Sequence, residues 1–324
     1  MSTTHNTDRA APSRRPRRAM TSKSSPGAGQ SSSAQRRGGR TRFGFALPGG
    51  IFLGILSIYP IVLLVSMSVH EVSSGTLNKS WPAVGLENFA ALWSGSDLGN
   101  ATINTIVFVA VVTAIGVVGG LGVAIVVRSS AIGSAFLLGM MVFIWALPPV
   151  VNGSIWKFLL ADQGLINTIV RSSGLGEGVP FLYDSRFALL SVALVNAWAV
   201  IPFNALVFRS ALLAIDPSIL EAASMDGASR LQEIRLILIP SARATAVVLA
   251  ILTVVYAFRS FDFIYVMTSG GPGSSTTTLP FLSYSQAFVQ HDYGIGSATG
   301  VLSLLIVALL AIVYVRSTRK EEAA

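Results

Sequence analysis

Apolar residues gather in six long stretches, at about 44–69, 101–127, 131–154, 187–209, 244–268 and 295–315, with more polar segments between them. Each stretch reaches the roughly 20 residues that an α-helix needs to cross about 30 Å of hydrocarbon. The third is interrupted by Pro148-Pro149, and residues 151–160 continue it in a way that suits the outer interface. The pattern predicts an all-α membrane protein whose six transmembrane helices fill residues 43–320. Gly50/Gly54 and Gly116/Gly120 set small residues one helical turn apart, which fits close helix packing, most simply within the chain itself.

Composition agrees, since 52% of the 324 residues are hydrophobic and only 12% are charged, against about 25% charged in an average soluble domain. A net charge of +8 invites a nucleic-acid reading, but its distribution argues otherwise. Residues 1–42 hold ten of the 23 Lys and Arg with Asp8 as the single acid, and the remainder is nearly neutral. Rich in Ser, Arg, Gly and Pro, this segment cannot bury enough apolar surface to offset ordering entropy. It is expected to be a disordered basic tail beside an anionic cytoplasmic leaflet, with no nucleic acid as partner. A cleaved targeting peptide would have a shorter apolar core; the 26-residue run Gly44–Val69 reads as a retained span. The chain has no Cys, and His5, His70 and His291 are far apart, so neither thiol chemistry nor a metal site is expected.

Orientation follows from the basic residues. With six spans and the N-terminus inside, 18 of the 23 Lys and Arg fall in inside segments and five (Lys79, Lys157, Arg171, Arg186 and Arg259) fall outside. Both termini are therefore expected in the cytoplasm. Arg209 and Arg259 lie near helix ends, from which a long side chain can snorkel, but moving them would not reverse the bias.

The segment 214–240, between the fourth and fifth spans, is unusual. Asp216 can cap a helix with Pro217 at its first position. Ile219, Leu220 and Ala223 would share a face of that helix, and Gly227 would end it. A second helix is expected from Ala228 to about Leu238, with Leu231, Ile234, Arg235 and Leu238 at helical spacing and Pro240 as its stop. Such a hairpin could simply lie on the bilayer.

Its residues suggest more. Glu221-Ala222-Ala223, then Asp226-Gly227-Ala228, then Ile239-Pro240 resemble the EAA loop of permease subunits of bacterial binding-protein-dependent ABC importers. That family has Leu before the proline and often Phe in the place of Ile234; both are Ile here. Gly85-Leu86-Glu87-Asn88-Phe89, Trp156-Lys157-Phe158 before Gly164-Leu165-Ile166-Asn167, Phe261-Asp262 with Tyr265 to Pro272, and Asp292-Tyr293-Gly294 resemble its carbohydrate, maltose-type branch, in order across residues 44–316. The resemblance implies a multi-pass protein of the bacterial cell membrane that translocates a sugar. Its partners would be a second permease subunit in a heterodimer, two ATP-binding subunits and an extracytoplasmic solute-binding protein. Glu221, Ala222, Ala223, Asp226, Gly227, Ala228, Ile237 and Pro240 would couple the chain to the ATP-binding subunits. The chain itself would be no enzyme and carry no cofactor. It lacks the Gly-x-x-x-x-Gly-Lys-Ser/Thr phosphate loop, and Gly270-Gly271-Pro272-Gly273, without a lysine, reads as a turn.

Sugars are held through hydroxyl hydrogen bonds and aromatic faces, so polar and aromatic residues within spans are candidates for a substrate pathway. Those flanking the loop are Asn196, Trp198, Phe203 and Asn204 before it, and Thr253, Tyr256, Ser260 and Asp262 after it. Packing and interhelical hydrogen bonding are the alternative role for the same residues. Within the family the alternative cargo is a glycerol phosphate or phosphodiester; the scarcity of cationic pore residues, Arg259 excepted, favours a neutral sugar. An ion-coupled secondary transporter would usually place carboxylates within its spans, and no acid lies near a span centre here. A membrane scaffold would not need the loop.

Overall fold

The computed structural model describes residues 32–128, 132–174 and 176–321, so the expected tail lies outside the described residues up to residue 31. In chain order the helices are α1 (Ser32–Ser68), α2 (Glu87–Ser94), α3 (Ser96–Val126), α4 (Ile132–Ala146), α5 (Pro149–Leu160), α6 (Leu165–Ser172) and α7 (Ala188–Leu213). Then follow α8 (Pro217–Met225), α9 (Arg230–Glu233), a π-turn (Ile234–Leu238), α10 (Ile239–Ser241), α11 (Arg243–Arg259), α12 (Asp262–Met267), α13 (Leu279–Tyr284), a second π-turn (Ser285–Val289) and α14 (Tyr293–Glu321). Among the described residues there are no strands, only two isolated bridges.

The chain divides into two units, one up to Ile58 and one from Tyr59. The first is the leading part of α1, whose side chains from Pro48 onward are exposed except for half-buried Gly54. The helix begins at Ser32, so residues 32–42 are helical where a disordered tail was expected. Once an apolar run has nucleated a helix, Ala34, Gln35, Arg36 and Arg37 extend it at one hydrogen bond per residue.

Among the described residues four helices are long and apolar enough to cross a membrane alone: Pro48–Ser68, Ser96–Val126, Ala188–Leu213 and Tyr293–Ile312. Two bent pairs bring the total to as many as six: Gly133–Ala146 with Pro149–Ser172 at 101°, and Arg230–Ser241 with Arg243–Arg259 at 63°. The first bend falls at Pro148-Pro149, where the sequence places the interruption. The fifth stretch, expected as one span over 244–268, is instead broken: α11 ends at Arg259, Ser260 turns extended with φ −71° and ψ 99°, and α12 starts at Asp262. The Ser260 hydroxyl accepts a hydrogen bond from Asn196 Nδ2 on α7, which holds the break against the bundle.

In the second unit α3 packs along α7, and glycines set the distance. Gly116 and Gly120 are buried against α7, where a Cβ on Gly120 would stand 2.5 Å from Asn204 Cβ and 3.1 Å from the Ala205 nitrogen. Around this crossing Phe108, Val112, Val192, Val195, Val200, Phe263, Ile264 and Met267 form the largest core cluster. Helix ends at the loops are tied by side-chain amides. Asn88 Nδ2 donates to the Ser68 and His70 carbonyls at 3.0 and 2.9 Å. Asn104 Nδ2 donates to those of Ser274 and Thr277 at 3.1 and 3.0 Å, pinning the 268–278 loop to α3. Within that loop Gly270 (φ +86°) and Gly273 (φ +60°) make the expected turn.

Gly120→Ala should therefore lower the thermal stability of the detergent-solubilised chain by about 1–3 kcal/mol, the usual cost of overpacking. Gly122→Ala, on the same helix but facing open space, should leave the melting temperature unchanged or slightly raised. Equal melting temperatures for the two variants would contradict this account of the crossing.

Candidate functional site

The 214–242 segment folds as a helical hairpin whose ends are specified locally. Asp216 (φ −58°, ψ 125°) caps α8 by accepting the Ser218 N–H at 2.9 Å, and Pro217 takes the first helical position. That N–H stabilises the charged carboxylate and holds the Asp216 pKa below its ordinary value. At the other end Gly227 adopts φ +79°. Its N–H reaches the Ser224 carbonyl at 3.1 Å while the Ala228 N–H reaches that of Ala223 at 3.0 Å, the paired bonds of a Schellman turn. The second helix starts two residues later than expected. Ser229 caps it in a reciprocal box, with the Gln232 side chain returning to the Ser229 N–H at 2.7 Å. The Ser-x-x-Gln spacing is the signal for this box.

Pro240 does not stop the second helix. The chain stays helical to Ser241 and turns at Ala242. Proline has no N–H to offer and its ring crowds the carbonyl four residues back. The π-turn absorbs this: Ile239 N–H bonds Ile234 O, five residues away, and the widened coil passes Pro240 without breaking.

The hairpin has two distinct sides. Ile215, Leu220 and Ile234, with buried Leu238 and Ala242, pack on Ala124, Phe208 and Leu212 at one end of α3 and α7. Ala223, Ala228 and Ile237 are half-buried along the same side. Opposite them Glu221, Ala222, Asp226, Gly227 and Pro240 are exposed. Met225 stands 87% exposed, and Leu231, expected on the inner face, is 65% exposed. Arg128 beside the end of α3 pairs with Glu233 at 3.1 Å. Arg209 donates from Nε to the Val127 carbonyl at 2.9 Å.

The substrate-pathway candidates separate into four groups. Phe203, Thr253 and Tyr256 line one cavity of about 420 Å³, together with Trp145, Asn152 and Phe263. Trp145 stacks on Phe203 at 5.9 Å and 22°. Asn204 is fully buried at the α3–α7 crossing and bonds Thr253 Oγ1 at 3.3 Å; Asn196 is equally buried and bonds Ser260. Trp198 packs edge-on against Trp156 at 5.3 Å and lines a separate cavity of about 170 Å³. Asp262 is half-buried in the first turn of α12. Trp145 and Asn152 lie outside the sequence-derived set. Asn152 is 2% exposed and its Oδ1 has no hydrogen-bond partner among the described residues. Their signal was the Pro148-Pro149 break, which bends α4 from α5 and opens the space between them. None of the residues lining the larger cavity is charged. A mostly apolar pocket of this size with a few polar groups suits a small uncharged ligand.

Comparisons with known proteins place these features. The family model described as a binding-protein-dependent transport system inner membrane component matches residues 116–321. The chain is 30% identical over 278 residues to the trehalose/maltose transport system permease protein of Thermococcus litoralis, covering 82% of this chain and 94% of that one. It is 34% identical over 243 residues to the sn-glycerol-3-phosphate transport system permease protein of Agrobacterium fabrum, covering 73% and 81% respectively. Its fold matches, with a TM-score of 0.73 and 20% identity, a chain of a bacterial ABC transporter involved in the import of the acidic polysaccharide alginate, covering 87% of this chain and 98% of that one. The two-sided hairpin, α7 and the end of α3 on which it packs lie inside residues 116–321, and the chain belongs to the inner membrane components of binding-protein-dependent transport systems.

Proposed function

We propose that this chain is the permease subunit of an ATP-driven importer of a sugar, with ATP hydrolysed by two separate subunits, one of which receives the 214–242 hairpin in a groove. The observation that carries the reading is the two-sided hairpin. One side is buried in the helix bundle, while the other offers Glu221, Asp226 and the apolar Met225. A hairpin made only to lie on an anionic leaflet would favour Lys and Arg on its polar face. Here the exposed residues carry both signs, Glu221 and Asp226 with Arg230 and Arg235, around an exposed methionine, which suits a groove in a protein better.

In this reading a solute-binding protein delivers the sugar from outside, a second permease completes the pore, and both termini share the hairpin's cytoplasmic side, as the basic-residue bias supports. The cavity walled by Trp145, Phe203 and Tyr256 receives the sugar. Ring stacking and a hydroxyl donating to the open Asn152 Oδ1 would orient it there. A glycerol phosphate, suggested by one relative's name, fits less well because no cation lines the cavity.

The test is uptake in proteoliposomes holding the full complex, with a panel of labelled trehalose, maltose, glucose and sn-glycerol-3-phosphate. ATP-dependent uptake of a sugar in preference to the phosphate is expected, and preferential uptake of the phosphate would refute the neutral-cargo reading. Glu221→Lys should leave membrane insertion normal while sugar uptake falls roughly ten-fold or more, the range for breaking a desolvated charged contact. Wild-type uptake in that variant would remove the hairpin from the coupling path. Reporters fused after residues 225 and 280 should report opposite sides of the membrane, with residue 225 in the cytoplasm; the same side for both would contradict the topology.

A further inference from the structure

The hairpin is tied to the bundle by a closed circuit of contacts. Helix α7 runs directly into α8 through Ala214 to Asp216, and α8 turns at Gly227 into α9. The last residue of α9, Glu233, accepts Arg128 Nη1 at 3.1 Å, across 105 residues of sequence. Arg128 follows Val127, whose carbonyl at the end of α3 accepts Arg209 Nε from α7 at 2.9 Å. The two arginines thus close a ring from α7 through the hairpin to α3 and back to α7. Both act at the C-terminal end of α3, where unpaired carbonyls and the helix dipole favour cations.

Among the described residues, Arg128–Glu233 is the one ion pair between the hairpin and the rest of the chain. The remaining attachment is apolar, through Ile215, Leu220, Ile234 and Leu238. Apolar burial is non-directional, so those contacts alone permit the hairpin to slide or tilt on the bundle. The Arg128 and Glu233 side chains are only 22% and 31% exposed, so the pair is largely withdrawn from water and fixes a direction. Glu233 also stands immediately before the π-turn, at the residue from which Ile234 and Leu238 are aimed into the core.

Resting on the import reading above, we infer that Arg128 and Glu233 are positioning residues for energy transfer. The pair makes a displacement of α8 and α9 move α3 and α7 together, and α7 carries the Phe203 wall of the cavity. Neither residue touches the sugar or ATP.

The experiment uses the same reconstituted complex and the panel sugar that the wild type takes up best. Sugar uptake and ATP hydrolysis are measured together for Arg128→Glu, Glu233→Arg and the double swap, alongside the amount of assembled complex. Each reversal should lower sugar moved per ATP hydrolysed by roughly five-fold or more, the low end of typical coupling between sites, and the double swap should restore most of it. A purely structural ion pair would change the amount of complex and leave that ratio alone. As a second measurement, tryptic cleavage after Arg230 and Arg235 in the solubilised chain should rise in Arg128→Gln, Arg128→Glu and Glu233→Arg and return towards wild type in the swap. Single reversals with a wild-type ratio, or a swap as defective as either single variant, would overturn the proposal while leaving the import reading intact. Absence of ATP-dependent sugar uptake by the wild-type complex would instead fail the import reading, and the tryptic pattern would still decide whether the pair holds the hairpin.

Discussion

Hydrocarbon offers no hydrogen bonds, so every backbone N–H and C=O that leaves a helix within a membrane must find a partner inside the protein. That constraint organises this structure more than any single packing contact. At helix ends and breaks a side chain from elsewhere supplies a donor or an anchor. Asn88 serves the end of α1, Arg209 the end of α3, Lys157 the Val266 carbonyl of α12, and Asn196 the Ser260 break. The 268–278 loop leans on Asn104 in the same way. Continuous helices need none of this, and the uninterrupted α3 packs through its middle by glycines and apolar side chains, with Asn204 of α7 at the closest approach.

The breaks are where function becomes possible. The Pro148-Pro149 corner separates α4 from α5 and opens the cavity beside Trp145 and Asn152; the Ser260 break lets α12 carry Phe263 into the same cavity's wall. At the other end of α7 the chain leaves the bundle to form the hairpin and returns through the π-turn and Ala242. One helix, α7, joins these regions. It contributes Phe203 to the cavity, Asn204 to the close approach with α3 and Arg209 to the anchor beside the hairpin. Import by alternating access needs a mechanical connection of this kind between an energy-receiving surface and a substrate chamber.

What could be read from the sequence was what depends on neighbours along the chain. The Asp216 cap, the Gly227 turn and the Pro148-Pro149 interruption each follow from residue type at a fixed offset, and the structure has all three. The Ser229–Gln232 box was equally local, though the helix was expected to start at Ala228. Features set by distant partners could not be read. Ser is compatible with a helix, and the break at Ser260 involves Asn196, 64 residues earlier. Pro240 reads as a stop until the π-turn before it is known to relieve the clash. The carbonyl that Arg209 serves, that of Val127 at the end of α3, lies 82 residues earlier. The cavity gathers residues from α4, α5, α7, α11 and α12, so Asn152 and Trp145 became candidates only when those helices were brought together.

On the import reading, the exposed side of the hairpin is the surface on which an ATP-binding subunit acts. Because the chain has no cysteine, a single one can be introduced without background and fitted with a short photo-crosslinker. In the assembled complex, a probe at Met225, 87% exposed, should crosslink to an ATP-binding subunit. A probe at Leu238, 2% exposed, should give no such product. Crosslinking from position 225 to lipid alone, or to no protein in a complex that hydrolyses ATP, would contradict the account.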